Sequence, residues 1–163
     1  MAQDLTHIKD GHAHMVDVHD KEIVVRTALA TGSIMLSCGT IETIRSGSVE
    51  KGNVLATARV AAILAIKKTP ELIPMCHQIP IKGIDIDFSL DNDRITTTVK
   101  VRSIGQTGVE MEAITGVSCA LLTVWDMVKS AEKDSTGNYP DTAITDIRVL
   151  KKTKESLAKS NVL

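Results

Sequence analysis

The most constraining feature of the sequence is a pair of alternating segments, residues 82–90 and 94–102, joined by the polar residues 91–93. Apolar and polar side chains alternate in each segment with a period of two, so one face of each strand is apolar and the other polar. Two such strands joined by a short polar turn form a β-hairpin. A hairpin of this kind is not stable alone, so its apolar face must be covered by other elements.

The elements predicted on either side of the hairpin define a fold class. Residues 23–37 are rich in β-branched side chains and predict a strand with a kink near Gly32. A short helix follows, capped by Thr40 and ended by Gly47, and then a helix over about 54–69, capped by Asn53 and stopped by Pro70. After the hairpin, a capping box of Thr107 and Glu110 opens a long helix over about 110–133. The last predicted element is a strand over about 143–150. The order β-α-β-β-α-β is that of the ferredoxin-like split βαβ fold, an α+β class with an antiparallel sheet and helices on one face. The second face of such a sheet is open in a single chain, so we expect an oligomer.

Composition narrows the class of protein. The 163 residues are 43% apolar and 24% charged, which favours a single globular domain over 1–163. Nineteen basic against twenty acidic residues, with only three aromatic side chains, argue against a nucleic-acid-binding protein. Three widely spaced cysteines form neither a zinc motif nor a disulfide framework, and the apolar run 116–125 is too short to cross a bilayer. We therefore expect a cytoplasmic protein with no nucleic-acid or membrane partner, a flexible segment over 1–13 and a basic tail over 151–163.

Three prolines within residues 70–80 predict a stiff, irregular loop that carries Cys76 and His77. A histidine held on such a loop is a candidate acid or base because its ordinary pKa lies near neutrality, and a packed or solvated histidine is the alternative. We interpret Cys76 as a small buried side chain rather than a nucleophile, since nothing beside it favours a thiolate.

Charged residues mark both ends of the long predicted helix. Glu112 lies in its first turn, where the helix dipole favours a carboxylate, and is either a solvated or a functional glutamate. Asp126 and Lys129 are three residues apart on one helical face and can pair. They are either a solvated ion pair or, if partly buried, an acid–base pair with pKa values tuned towards neutrality.

The spacing of these residues has a consequence for the assembly. Glu112 and Asp126 are fourteen residues apart, which is about 21 Å along a continuous helix. The two carboxylates cannot both touch one nucleotide-sized substrate from the same chain. If both act on it, two chains contribute to each site, and a symmetric oligomer with interfacial sites follows.

Several basic residues are candidates for holding phosphate. Lys51 precedes a predicted helix N-terminus, and Arg26 lies in the first strand. Further lysines follow the last predicted strand, where a solvated tail is the alternative, namely Lys151, Lys152 and Lys154.

Five motifs, in order along residues 14–150, resemble the molybdenum cofactor biosynthesis protein C family. They are HMVDV at 14–18, KGNVLATAR at 51–59, LIPMCH at 72–77, TGVEMEA at 107–113 and WDMVK at 125–129. Each motif alone is weak, whereas five at matching intervals are specific. The resemblance implies a lyase, a cyclic pyranopterin monophosphate synthase, which converts (8S)-3′,8-cyclo-7,8-dihydroguanosine 5′-triphosphate to cyclic pyranopterin monophosphate and pyrophosphate. It also implies a ferredoxin-like subunit and a homohexamer, a trimer of dimers, with sites between subunits.

The resemblance further implies roles for individual residues. The catalytic aspartate and its partner lysine fall on Asp126 and Lys129. The substrate-binding positions fall on Met75, Cys76, His77, Glu110, Met111, Glu112, Lys51 and Lys152. Met75 and Gln78 stand where the family has leucine and proline, and the glycines of the family's C-terminal lysine motif are missing from residues 152–156.

Two other functions remain open on the sequence. A ferredoxin-like oligomer can bind a metabolite between subunits without catalysis, as a regulatory module. A metal-dependent hydrolase is the third class, but His12 and His14 have no second group of ligands at zinc spacing. We therefore expect neither a metal nor a resident cofactor.

Overall fold

The computed structural model describes residues 8–9 and 11–157. Its strands are β1 (Ile8–Lys9), β2 (His12–Ala13), β3 (Val24–Met35), β4 (Ile81–Leu90), β5 (Arg94–Gly105) and β6 (Ala143–Glu155). Its helices are α1 (Cys38–Ser46), α2 (Val54–Lys67), α3 (Thr69–Leu72) and α4 (Glu110–Val128). The long strands form one sheet in the order β4-β5-β3-β6, and every neighbouring pair is antiparallel. This arrangement confirms the α+β class and is consistent with the ferredoxin-like fold.

The alternating segments form the predicted hairpin of β4 and β5. The backbone N–H of Asp91 donates to the carbonyl of Arg94 at 2.9 Å and closes the turn. Ile86 pairs with Val99, and both are buried on the face that the helices cover. The other face of β5 carries Thr96, Thr98 and Lys100, so it is polar and can remain in contact with water.

Glycine lets α4 lie close to the sheet and to α2. A Cβ on Gly32 of β3 would lie 2.7 Å from Val117 of α4, and one on Gly116 would lie 2.7 Å from Ile66 of α2. A β-bulge lies opposite Gly32, and its extra residue belongs to β6 rather than to β3, whose register with β5 runs through Gly32 without a shift. Across from that glycine the register between β3 and β6 shifts, so that two β6 residues, Asp146 and Ile147, lie opposite it. The kink predicted in β3 itself stays a prediction.

Three predicted helix ends are wrong. Ser37, not Thr40, caps α1, because the Ser37 hydroxyl accepts from the Thr40 backbone N–H. The capping box at α4 is also wrong, since its N-cap is Val109 with no side-chain cap bond. Helix α4 ends at Val128 rather than 133, because no large apolar residue extends its buried stripe over residues 129–134.

The predicted caps Asn53 of α2 and Gly47 of α1 are confirmed. The helix predicted over 54–69 stops at Lys67, and α3 carries Pro70 in its first turn. The last strand continues to Glu155 rather than 150, because its basic residues stay paired with β3, with Lys152 opposite Ala28.

The two ends of the chain are described in part. β1 pairs with β2 in a small antiparallel sheet. Residues 8–9 and 12–13 of the segment that was predicted to be flexible therefore form strands. The rest of that prediction concerns mainly residues 1–7 and 10, which lie outside the described residues. Of the predicted basic tail, residues 158–163 also lie outside the described residues.

The close packing at Gly32 predicts that replacing glycine by alanine lowers stability at this position and not at Gly39, where the space is open. In Gly32→Ala the new methyl group meets Val117, Ile147 and Leu121 within 3.1 Å. Overpacking of this kind costs about 1–3 kcal/mol, which exceeds the roughly 0.5–1 kcal/mol that alanine gains over glycine in a regular element. Thermal unfolding should therefore show a lower melting temperature for Gly32→Ala.

The matched control is Gly39→Ala in α1, where no atom lies within 4 Å of the new methyl group. This variant should be as stable as the wild-type protein or more stable. Equal melting temperatures for the two variants would contradict the packing described here.

Candidate functional site

A cavity of about 390 Å³ lies between the proline-rich loop and the start of α4. Three segments line it, namely the chain after β2, the loop after α3, and the turn that leads into α4. Its lining residues are Val16, Val18, Lys21, Met75, Cys76, His77, Ile79, Thr107, Gly108, Glu110, Met111 and Glu112. The structure thus brings together the predicted triplet Met75, Cys76 and His77 with the predicted Met111 and Glu112.

A second cavity of about 430 Å³ adjoins the first and is rich in cations. The two cavities share Lys21 and the turn residues 107, 108 and 110. The second adds three of the predicted phosphate-binding candidates, Arg26, Lys152 and Lys154. We call the two cavities together the groove; one end holds His77 and Glu112, and the other holds the basic side chains.

Glu110 pairs with a distant lysine rather than with Thr107, its predicted capping partner. Lys152 Nζ donates to Glu110 Oε1 at 2.9 Å. The Glu110 carboxylate occupies the space that a Cβ on Gly108 would need, so a side chain at position 108 would displace this carboxylate. Burial alone would raise the pKa of Glu110, but the hydrogen bond and charge of Lys152, with the charge of Arg26, lower it.

Arg26 is buried, and two of the nitrogens of its guanidinium donate hydrogen bonds to the backbone. Its Nε donates to the carbonyl of Gly105 at 3.0 Å, and its Nη2 donates to that of Gln106 at 2.8 Å. A guanidinium has five N–H donors, so further donors remain for a ligand. Arg26 therefore fixes the turn that forms the groove while facing its cationic end.

Glu112 is the most unusual side chain of the groove. It is only 2% exposed, and its Oε2 has no hydrogen-bond partner among the described residues. Burial and the charge of Glu110 raise the pKa of Glu112. The interpretation of Glu112 as a solvated glutamate is therefore wrong. Burial and the charge of Glu112 also raise the pKa of Cys76, which favours the thiol, as predicted. Cys76 is only partly buried, however, whereas a buried side chain was predicted.

The other predicted residues form a separate cluster at the far end of α4. Lys129 Nζ lies 2.7 Å from Asp126 Oδ1, and Lys51 Nζ lies 3.4 Å from Asp126 Oδ2. Lys51 also donates to the backbone carbonyl of Asp126 at 2.8 Å, which is one of the carbonyls left free at a helix C-terminus. We call Lys51, Asp126 and Lys129 the charged triad.

All three side chains of the charged triad are exposed in the chain. The hydrogen bond and charge of Lys129, with those of Lys51, lower the pKa of Asp126. The hydrogen bond and charge of Asp126 raise the pKa of Lys129. Of the two alternatives left open for this pair, the single chain therefore shows the solvated ion pair, and the condition of partial burial for tuned pKa values is not met.

Because α4 is continuous from Glu110 to Val128, the groove and the charged triad lie at opposite ends of one helix. Fourteen residues separate Glu112 from Asp126, a distance of about 21 Å along the axis. No single chain brings the two sets of predicted residues together.

Two groove residues were missed by sequence reasoning. Lys21 lies in a polar segment with no recognisable pattern, so no local signal marks it. Gln106 donates from its side chain to the carbonyl of His19 at 2.7 Å and ties that segment to the turn before α4. Both placements depend on contacts between residues distant in sequence, which spacing does not predict.

Two further observations bear on the class of protein. Among residues 11–157, no three His, Cys, Asp or Glu side chains lie close enough to hold a metal ion. α4 is the one helix of the described chain that is long and apolar enough to cross a membrane. Half of it is buried against the sheet and α2, so its apolar character belongs to the core of the domain.

Comparison with known proteins identifies relatives over almost the whole chain. The profile of the MoaC family matches residues 15–155. Two relatives are named probable cyclic pyranopterin monophosphate synthase. The protein of Methanococcoides burtonii is 63% identical over 155 residues, covering 95% of this chain and 98% of the relative. That of Methanosarcina acetivorans is 66% identical over 149 residues, covering 91% and 94%. A third relative, from Methanothermobacter thermautotrophicus, is 58% identical over 155 residues, covering 95% and 98%, and is named a probable accessory protein of that synthase.

The raised pKa of Glu112 predicts how stability depends on pH. Below the ordinary pKa of glutamate, the side chain is protonated in both the folded and the unfolded chain, so its burial has no pH-dependent cost. As the pH rises from there to the folded-state pKa, only the unfolded chain loses the proton, and the folded state loses stability. Glu112→Gln removes this titration. The melting temperature of Glu112→Gln minus that of the wild-type protein should therefore increase as the pH is raised from 4 to 8.

The control is Glu71→Gln, because Glu71 is exposed and only loosely paired with Lys68, at 3.9 Å. Its difference from the wild-type protein should change little with pH. A Glu112→Gln difference that is constant between pH 4 and pH 8 would show that Glu112 is not held in an environment that disfavours its charge.

Proposed function

Because the chain belongs to the MoaC family, we propose that it is a cyclic pyranopterin monophosphate synthase. It acts in molybdenum cofactor biosynthesis and converts (8S)-3′,8-cyclo-7,8-dihydroguanosine 5′-triphosphate to cyclic pyranopterin monophosphate and pyrophosphate. The observation that carries this proposal is the groove. It combines a buried carboxylate with one unpartnered oxygen at one end with a group of cations at the other, and a guanine-derived triphosphate needs both.

The ring of the substrate fits the end of the groove that holds Glu112. The pyrimidinone edge of a guanine derivative presents an N1–H and a 2-amino group, both hydrogen-bond donors. The Glu112 carboxylate accepts only, and its Oε2 lacks a partner. Binding of this edge supplies the missing donors and favours the ionised carboxylate. Cys76 and His77 line the same cavity and contact the bound ring.

The triphosphate fits the cationic end of the groove. Lys21, Arg26, Lys152 and Lys154 line it, and cations fixed in place stabilise the charge of the departing pyrophosphate. The phosphates compete with Glu110 for Lys152, which Glu110 holds in place at 2.9 Å until the substrate arrives.

Acid–base chemistry falls to Asp126 and Lys129. The five-membered ring must open and its atoms must rejoin as a pterin, which requires protons to move to and from nitrogen and oxygen. In the exposed pair, the pKa of Asp126 is lowered and that of Lys129 is raised, so neither group exchanges protons readily near neutral pH. The pair becomes effective when a neighbouring subunit and the substrate remove water from it, because desolvation disfavours both charges.

We assign the neighbouring subunit to a second copy of the chain. A twofold axis near residue 119, midway between Glu112 and Asp126, would place two α4 helices antiparallel. The partner subunit's Asp126 would then lie beside the groove. Thr115, Ser118 and Cys119 are partly exposed at this midpoint and small enough for close approach, and Leu122 beside them is exposed. This pairing is the dimer of the proposed homohexamer, a trimer of dimers, which we place in the cytoplasm.

One observation favours a second function, a noncatalytic regulatory module. An exposed pair whose pKa values are displaced away from neutrality is also what a surface ion pair without catalytic work shows. Such a module would bind the substrate in the groove and release no pyrophosphate.

Substitutions in the charged triad test the proposed chemistry. Asp126→Asn and Lys129→Ala should each lower turnover by about 10²–10⁴ while the protein stays folded, because each removes an acid–base group. Turnover is measured as pyrophosphate release and product formation from the purified cyclised GTP derivative. The matched control is the pair Glu42 and Arg45 on α1, another exposed i,i+3 ion pair, at 3.2 Å.

Glu42→Gln and Arg45→Ala should keep wild-type turnover. Wild-type turnover in both triad variants would refute the acid–base assignment. A wild-type protein that binds the cyclised GTP derivative and releases no pyrophosphate would identify the regulatory module instead.

A further inference from the structure

A carboxylate just beyond α4 receives an unusual number of hydrogen bonds. Glu132 Oε1 accepts from the Ser37 hydroxyl at 2.9 Å, and Oε2 accepts from the Thr142 hydroxyl at 2.8 Å. The backbone N–H of Ser37 lies 3.2 Å from both oxygens. The Thr40 hydroxyl also reaches the carboxylate. These donors outweigh the effect of partial burial and lower the pKa of Glu132.

These bonds join three parts of the fold. Ser37 lies between β3 and α1 and caps that helix, and Thr142 immediately precedes β6. Glu132 therefore ties the chain that leaves α4 to two strands of the central sheet. Hydrogen bonds to an ionised carboxylate are about twice as strong as those between neutral groups. The Glu132 carboxylate therefore holds these three segments together strongly, although it lies near the surface.

The tie lies next to the charged triad. Lys129 is the C-cap of α4, and only Ser130 and Ala131 separate it from Glu132. The backbone N–H of Ala131 donates to the carbonyl of Val128 at 2.9 Å, so this short connection is a closed turn with little freedom.

A second contact fixes the same loop further along the chain. The Tyr139 ring packs edge-on against Trp125, with centroids 5.7 Å apart. Trp125 is the residue before Asp126. The loop over 129–142 is therefore held at two points, Glu132 and Tyr139, and the second of them contacts the residue before Asp126.

We propose that Glu132 is a positioning residue for the acid–base pair: it fixes the chain after α4 so that the Lys129 ammonium stays against Asp126. This inference rests on the proposed function for its catalytic consequence. The placement of Lys129 itself does not depend on that function, so it is tested separately.

The test compares Glu132→Gln and Glu132→Ala with the control Glu71→Gln. The pKa of Lys129 is measured by NMR on the full chain with its lysines dimethylated with ¹³C, and the signal is assigned with Lys129→Arg. The ion pair with Asp126 is the main cause that raises this pKa, and Tyr139, in the same loop, adds to it. It should therefore fall towards the ordinary lysine value in Glu132→Ala, fall less in Glu132→Gln, and stay unchanged in the control.

Turnover is the second readout. A displacement of about 1 Å at a reacting group can lower the rate by on the order of 10², so kcat should fall towards that extent in Glu132→Ala, with the KM for the cyclised GTP derivative changed less than threefold. If Glu132→Ala does not fold, Thr142→Val replaces it, because it removes a single donor with almost no change of shape. Its effects on the pKa of Lys129 and on kcat should be in the same direction and smaller.

A lower melting temperature with the pKa of Lys129 and kcat both unchanged would overturn the proposal, because Glu132 would then be a purely structural residue. A wild-type protein without turnover would refute the proposed function, while the pKa of Lys129 would still decide whether Glu132 positions it.

Discussion

A single continuous helix separates the two halves of the proposed chemistry. α4 runs from Glu110 to Val128, and its buried stripe of Val117, Leu121 and Val124 forms the centre of the core. Glycines at 32 and 116 let it lie close to the sheet and to α2. Packed in this way, the helix is continuous over its nineteen residues. The groove at its start and the charged triad at its end therefore stay about 21 Å apart in any one chain.

Each end of this helix is incomplete by itself. The groove contains a buried carboxylate, Glu112, whose Oε2 has no donor among the described residues, and an unpaired buried acceptor is costly. The charged triad has the opposite defect, because its groups are paired and exposed, with the pKa of Asp126 lowered and that of Lys129 raised. A substrate in the groove satisfies Glu112, and a second chain over that substrate removes water from the triad. The same pairing accounts for both defects.

Much of the fold could be predicted from the sequence, because local patterns determine it. The period-two alternation defined the hairpin of β4 and β5, and Asn53 and Gly47 marked helix ends by their own backbone preferences. The errors arose where a tertiary partner overrides a local rule. Glu110 matches a capping box, yet its carboxylate pairs with Lys152, 42 residues away. β6 extends past 150 because β3 pairs with it. The sequence motifs were enough to identify residues that the structure places together in the groove, whereas Lys21 and the link from Lys51 to Asp126 depend on the folded chain.

The central claim is that each site takes its groove from one chain and its Asp126 from another. Mixed oligomers of two defective variants, Glu112→Ala and Asp126→Asn, test it most directly. Each variant alone should be nearly inactive with the cyclised GTP derivative. After subunit exchange at equal amounts, about a quarter of the interfacial sites combine an intact groove with an intact Asp126. Pyrophosphate release should then recover to about that fraction of wild-type turnover. Activity that stays at the level of the separate variants, in oligomers shown to be mixed, would contradict the claim.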